Sequence, residues 1–398
     1  MKKLVWCSSV LIFSLQFVSS AWALKLELLA VAELPHKMKF EKTVVGGLSA
    51  IYFDGDSSTL TAVSDDRGRE GAPRFYEFDF NYSDHKLSVV PKAVHLIKTK
   101  GPKLTLDMEG LAPLPWGNFL ISSEGDLGKK PRAMPEILDV KKDGTLVRSF
   151  ELPAKFLPEA QGPQTKGIRN NRGLEGLTRA PLGSAGGDHW YLMNEESLVQ
   201  DSKAEAGPLR LLVYDSPEAW VIKPGKEYVY LPEGGSAEPS TRLTLAGRVS
   251  ELLALSNEQF LVLERSMQVE PNRFSYVCKI FVAKLADAVD VSGVESLAGK
   301  DLKSYKPMKK ELVLDLETLK EKLGETDSTQ ASDQASDPAT VNATTKGHSK
   351  ESIKNSIENF EGLAFGPEVN KKKTLIVVSD DNFKKSERTQ ILLFSIND

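Results

Sequence analysis

The sequence predicts an all-β fold, a β-propeller of about five four-stranded blades, with six as the alternative count. Three observations predict it: a hairpin unit that recurs five times, further strand-like runs after each copy, and two terminal segments that complete one another.

The first copy of the unit is "VGGLSAIYFDGDSSTLTAVSDDRG", from Val45 to Gly68. The second is "DMEGLAPLPWGNFLISSEGD", the third "NRGLEGLTRAPLGSAGGDHWYLMNEES", the fourth "RVSELLALSNEQFLVLERS" and the fifth "NFEGLAFGPEVNKKKTLIVVSDDNF". An acidic residue opens most copies, two apolar runs flank a turn, and acidic residues close the second run. The opening positions are Glu109, Glu175, Glu251 and Glu361, with Gly47 in the corresponding place of the first copy. The closing positions include Asp65, Glu124, Glu195, Glu264-Arg265 and Asp380.

After each hairpin come more runs rich in β-branched and aromatic residues and bounded by Gly, Pro, Asn or Asp, which is a strand signature. They are "RFYEFDF" and "LSVVPKAVHLI", then "EILDV" and "VRSFELP", then "LRLLVYD" and "KEYVYLP", then "YVCKIFVAKL" and "KKELVLDL". The fifth unit is short, because "TQILLFSIND" is its third strand and the chain then ends. The early segment "LKLELLAVAEL" supplies the missing fourth strand, so both ends of the chain would close one blade and remove an open edge. A pair of β-sandwiches is the competing fold.

The first 23 residues have a basic start (Lys2, Lys3), a short apolar run and a small-residue exit around Ala21 and Ala23. That layout predicts a cleaved signal peptide, with a single domain over 24–398 and a periplasmic or secreted location. No later run is apolar for long enough to span a membrane. The tract 324–350 is polar, rich in Ser, Thr and Asp and devoid of aromatic residues, so it predicts a disordered loop. The formal charge of −4 becomes more negative once Lys2 and Lys3 are removed, which argues against nucleic acid as a partner. Cys278 would then be the lone cysteine, leaving no internal disulfide.

In a propeller the first strand of a blade lines the channel and the second returns beside it. The opening and closing carboxylates of several blades would therefore converge on one channel mouth. Like charges held close need a counter-charge. A hard cation, Ca²⁺ or Mg²⁺, is one candidate. The motif arginines Arg67, Arg172, Arg265 and Arg388 are the other, and an arginine fork also suits an anionic oxygen group. Carboxylates, a metal and arginines together suit a phosphate ester. The residues expected to act are Glu109, Glu175 and Glu361 as catalytic groups or metal ligands. Asp65, Glu124 and Asp380 would support the metal, and Arg67, Arg172 and Arg265 would hold the ester. The same residues serve equally as turn caps and interblade ion pairs. There is no G-x-S-x-G, no phosphate-binding glycine loop and no H-E-x-x-H, which disfavours a common serine hydrolase, an NTPase or a zinc hydrolase.

The segments "DMEGLAPL…ISSEGD", "NRGLEGLTRAP…NEES", "VSELLAL…FLVLERS" and "NFEGLAFGPE…TLIVVSDDNF…TQILLFSI" resemble the phytase-like domain family of exported bacterial proteins, labelled for an esterase-like activity of phytase. The resemblance spans nearly the whole chain after residue 23. It implies a propeller-like fold, an extracytoplasmic site and action on a small phosphate ester or another anionic ligand. A non-catalytic envelope propeller that binds a ligand or a protein is the alternative.

Overall fold

The structure, a computed structural model, describes residues 24–99, 105–181, 188–202, 207–234, 236–237, 243–244, 247–270, 273–324 and 357–397. The expected signal peptide and residues 325–350 of the expected loop lie outside them; Gly324 closes a short helix, Lys320–Gly324.

Twenty strands build the blades. They are β1 (Lys25–Leu34), β2 (Leu48–Asp54), β3 (Thr59–Ser64), β4 (Arg74–Ser83), β5 (Lys86–Leu96), β6 (Met108–Pro113), β7 (Phe119–Ser123), β8 (Glu136–Val140), β9 (Leu146–Phe150) and β10 (Leu174–Arg179). They continue with β11 (His189–Asn194), β12 (Leu209–Glu218), β13 (Val221–Tyr230), β14 (Arg248–Ala254), β15 (Gln259–Glu270), β16 (Arg273–Lys284), β17 (Lys309–Asp315), β18 (Asn359–Phe365), β19 (Thr374–Asp380) and β20 (Thr389–Asn397). Four blades are antiparallel meanders in chain order: β2–β5, β6–β9, β10–β13 and β14–β17. The fifth has the order β18–β19–β20–β1, with β1 antiparallel to β20 from Lys25 opposite Asn397 to Leu34 opposite Thr389. The first strands touch in sequence, β2 to β6 to β10 to β14 to β18 and back to β2, so the ring is closed. Five blades, sealed by both chain ends, is what the repeat predicted.

The core explains why inner strands such as β3, β7 and β19 are buried throughout, whereas outer strands such as β5 and β9 alternate. A blade strand has a neighbouring blade on each face, so successive side chains enter different cores. In β19, Leu375 and Val377 pack with β14–β16, whereas Ile376 and Val378 pack with Leu48, Leu60 and Ala62 of the first blade. All seven residues of β19 are buried. Five such interblade cores fill the ring, and each buried Leu, Ile or Phe side chain contributes about 1.5–3 kcal/mol.

One hairpin departs from the pattern. β14 pairs with β15 only as far as Arg248 opposite Arg265, and β15 and β16 then continue together to Glu270 and Arg273. The extension also gains the short strand Leu243–Thr244 beside Val269 and Gln268. It raises a wall on one side of the channel mouth.

Candidate functional site

Each innermost strand slips register at the same place. The shift falls between Met108 and Gly110, Leu174 and Leu177, Phe360 and Gly362, Val249 and Glu251, and Leu48 and Ile51. A bulge leaves a residue without a ladder partner and re-aims its side chain. In three blades that residue is a glutamate: Glu109, Glu175 and Glu361. The glycine after it is needed by the neighbouring blade. A Cβ on Gly110 would stand 2.8 Å from the Glu175 carbonyl oxygen, and one on Gly176 would stand 2.8 Å from the Leu252 nitrogen. The Glu-Gly pair is thus a channel-facing carboxylate followed by a point of close approach between first strands.

The register corrects two correspondences drawn from sequence. In the first blade Ser49, and not Gly47, takes the bulge position; in the fourth it is Ser250, and not Glu251. Ser49 donates its hydroxyl to the Glu109 carbonyl at 3.2 Å, whereas the buried Ser250 hydroxyl has no partner among the described residues. Glu251 instead accepts from the Leu177 and Leu252 backbone N–H groups, both at 3.0 Å, and fastens the third blade to the fourth. Gly47 has φ +60, and a Cβ there would meet Asp65 and lie 2.7 Å from the Phe383 ring.

A second set of side chains follows, on each second strand, the residue paired just before the bulge. They are Asp65, Glu124 and Glu195, after the last paired residues Ser64, Ser123 and Asn194, and at the same distance from the bulge Arg265 and Asp380, which still pair with Arg248 and Asn359. Four blades place a carboxylate there, and the fourth blade places an arginine.

These two sets surround a cavity of about 360 Å³ at the channel mouth. Asp65, Glu109, Glu175, Glu195, Arg265 and Glu361 line it, with Arg67, Arg69, Arg248, Asn171 and Asn359. Ser266, Met267 and Tyr276 of the extended hairpin and Phe383 add a less polar side. Arg265 is paired with Glu361 and, at 3.1 Å, with Glu195, and it donates to Asn359. Arg67 donates through Nε to Asp107 at 2.6 Å and also reaches Asn171. Arg248 pairs with Glu196 at 2.7 Å. Arg69 is exposed and makes no ion pair among the described residues.

Carboxylates outnumber these arginines. Burial first, and then mutual repulsion, pushes Asp65, Glu109, Glu124, Glu175 and Asp380 well above the usual carboxylate range. Burial likewise raises Asp107 to about 6, although the Arg67 guanidinium pulls the other way. Burial opposes the charge on Arg265, but Glu361, Glu195 and Glu175 outweigh it and hold the guanidinium firmly protonated. Three carboxylate oxygens of this cluster are buried with no hydrogen-bond partner among the described residues: Asp107 Oδ1, Glu124 Oε2 and Asp380 Oδ2. Three sets of side chains each bring an oxygen within 4.8 Å of the others: Asp65–Glu109–Glu361, Asp107–Glu109–Glu124 and Glu124–Glu175–Glu195. An all-oxygen donor set with orphaned, buried carboxylate oxygens fits a hard divalent cation.

Of the residues expected from sequence, Glu109, Glu175, Glu361, Asp65, Arg67 and Arg265 share this cavity. Glu124 and Asp380 are buried beside it, Glu124 within two of the oxygen groups. Arg172 does not line the cavity; it pairs with Glu196 at 2.9 Å on the outer rim. Arg388 is further out, on Glu358 at 2.8 Å. Asp107, Arg69, Arg248 and Phe383 were missed, although Asp107 stands two residues before Glu109 in the same motif.

Residues 43–383 match the family model described as phytase-like, esterase-like activity of phytase. No curated protein matches the chain. Among solved structures the chain is similar to a Thermus thermophilus protein titled as an oxidoreductase (glucose dehydrogenase). The likeness has 11% identity and a TM-score of 0.34, and covers 93% of this chain and 99% of that one. At that level it bears on no activity.

Proposed function

Since the chain belongs to the phytase-like family, we propose that its channel mouth hydrolyses phosphate esters of small molecules with a divalent cation, Ca²⁺ or Mg²⁺. One observation carries the reading: a single cavity holds carboxylates in excess of its arginines and leaves buried carboxylate oxygens unpartnered beside it. A bound cation would polarise the ester and acidify a water molecule. The chain's own groups do the rest. Arg69 is free to take a phosphate oxygen at the rim, and Arg248 can turn one edge of its fork to the same anion. Arg265 and Arg67 orient Glu361 and Asp107, so their role is to position carboxylates and to offer only their cavity-facing edges to the ester. Among Glu109, Glu175 and Glu361, one is the group that takes a proton from the attacking water. The leader-like residues 1–23 support export, which would put the site in the periplasm or outside the cell.

Phosphate release from a panel of esters, with Ca²⁺ or Mg²⁺ and after chelation, tests the reading. Cation-dependent release that is lost on Glu361→Gln is the expected result. The second reading is a propeller that binds an anionic ligand without turnover. Burial and repulsion, which raise the pKa values of Glu109 and Glu175, favour it, because they disfavour the ionised form that a general base needs. Silence across the panel from a folded protein would select it.

A further inference from the structure

We infer that the mouth carries a second, buried divalent cation, held by Asp107, Glu109 and Glu124 beneath the cavity and separate from the ion that meets the ester. This deepens the proposed function, on which it rests for the cavity-facing ion at Asp65, Glu109 and Glu361.

Geometry singles out this one of the three oxygen groups. Its oxygens lie within 4.8 Å of one another, so that at most a small adjustment of the side chains brings all three to a Ca–O bond of about 2.4 Å from one ion. Two of its three members also keep a buried oxygen with no hydrogen-bond partner among the described residues, Asp107 Oδ1 and Glu124 Oε2, on side chains at most 2% exposed. Their other oxygens are already fixed. Asp107 Oδ2 accepts from Arg67 Nε at 2.6 Å, and Glu124 Oε1 accepts from the Gly173 N–H. Each carboxylate is therefore oriented by one oxygen and keeps the other open to a cation, within a group whose members each bring an oxygen close to the others.

Charge counting agrees. Fully ionised, as a bound cation would require, the three carboxylates exceed the Arg67 guanidinium that pairs with Asp107 by two negative charges, which one divalent cation neutralises. Across the channel Arg265 already serves Glu195 and Glu361, so that side is partly compensated without an ion. The buried ion would tie the second blade, through Glu124 and Gly173, to the start of the third, and through Arg67 to the first. Its role is structural, and Glu109 links it to the cavity-facing ion.

Calorimetric titration of the chelator-treated, dialysed full chain with CaCl₂ is the test. Two Ca²⁺ ions per chain are expected for the unaltered protein, falling to one in Asp107→Asn and in Glu124→Gln. One ion or none in the unaltered protein overturns the inference, as does a variant that still binds two. If neither variant folds by circular dichroism, the stoichiometry of the unaltered chain decides alone. Two ions without phosphate release would sink the hydrolase reading and leave this one standing; release with a single ion would do the reverse.

Discussion

Arg265 occupies in the fourth blade the position that Glu195 holds in the third, and its guanidinium reaches that carboxylate at 3.1 Å. One arginine thus interrupts a ring of carboxylates built by the same element of every other blade. It also holds Glu361, so it is the internal counter-ion for two blades at once. Replacing it by Gln leaves Glu195 and Glu361 facing each other in a nearly buried site. Breaking a buried pair in this way costs about 3–5 kcal/mol. Arg265→Gln is therefore expected to lose stability of that order in urea unfolding with chelator present. Added Ca²⁺ should recover part of the loss. A variant as stable as the parent with chelator would mean that the arginine is dispensable.

The glycine of each Glu-Gly pair makes a different demand. Alanine at Gly110 or Gly176 would press a methyl group onto the next first strand, against the Glu175 carbonyl or the Leu252 N–H. Overpacking of this kind costs about 1–3 kcal/mol. The melting temperature of either variant should fall, whereas Gly234→Ala, with nothing near its Cβ, should not share the fall.

Much of this was legible in sequence because blade strands carry their own punctuation. Continuous apolar runs between Gly, Pro and Asn turns gave the strands, and the short fifth unit announced that β1 would complete it. The convergence of Glu109, Glu175 and Glu361 followed from strand direction alone. The errors came where spacing could not reveal a bulge. Gly47 and Glu251 look like members of the series, yet the bulge register gives those places to Ser49 and Ser250. Phe383 and Tyr276 reach the cavity through a turn and an extended hairpin, which no repeat pattern encodes.

The two bulge serines should answer oppositely to alanine. Ser49 donates to the Glu109 carbonyl, so Ser49→Ala is expected to lose about 1 kcal/mol. Ser250 buries a hydroxyl with no partner among the described residues, and Ser250→Ala removes an unmet desolvation cost. That variant should be neutral or slightly more stable in the same unfolding experiment. Equal losses at both sites would show that Ser250 has a partner in solution.

Glu251 separates an interblade fastening from the chemistry. Glu251→Ala strands the Leu177 N–H, and a buried unsatisfied donor costs about 1–3 kcal/mol. Glu251→Gln keeps an acceptor oxygen and should lose less. Neither change touches the cavity, so any phosphate release should persist in Glu251→Gln while Glu361→Gln abolishes it.

The acidic cluster also fixes the sign of a pH effect. Asp107 has its pKa raised from the usual 3.8 to about 6, so the folded chain binds that proton more tightly than the unfolded chain does. Both states are protonated well below pH 4, and there the contribution to stability is complete. As pH rises through about 6 the folded group must ionise among its neighbours, and the contribution is lost. Asp65, Glu109, Glu124, Glu175 and Asp380 are shifted in the same direction and extend the loss upward in pH. In chelator, this cluster should therefore make the melting temperature fall between about pH 4 and pH 6 and continue to fall above it. A divalent cation competes with those protons, so the gain on adding Ca²⁺ should grow over the same range. Melting curves at each pH with chelator and with Ca²⁺ measure both slopes. A Ca²⁺ gain that did not change with pH would mean that the ion binds away from these carboxylates.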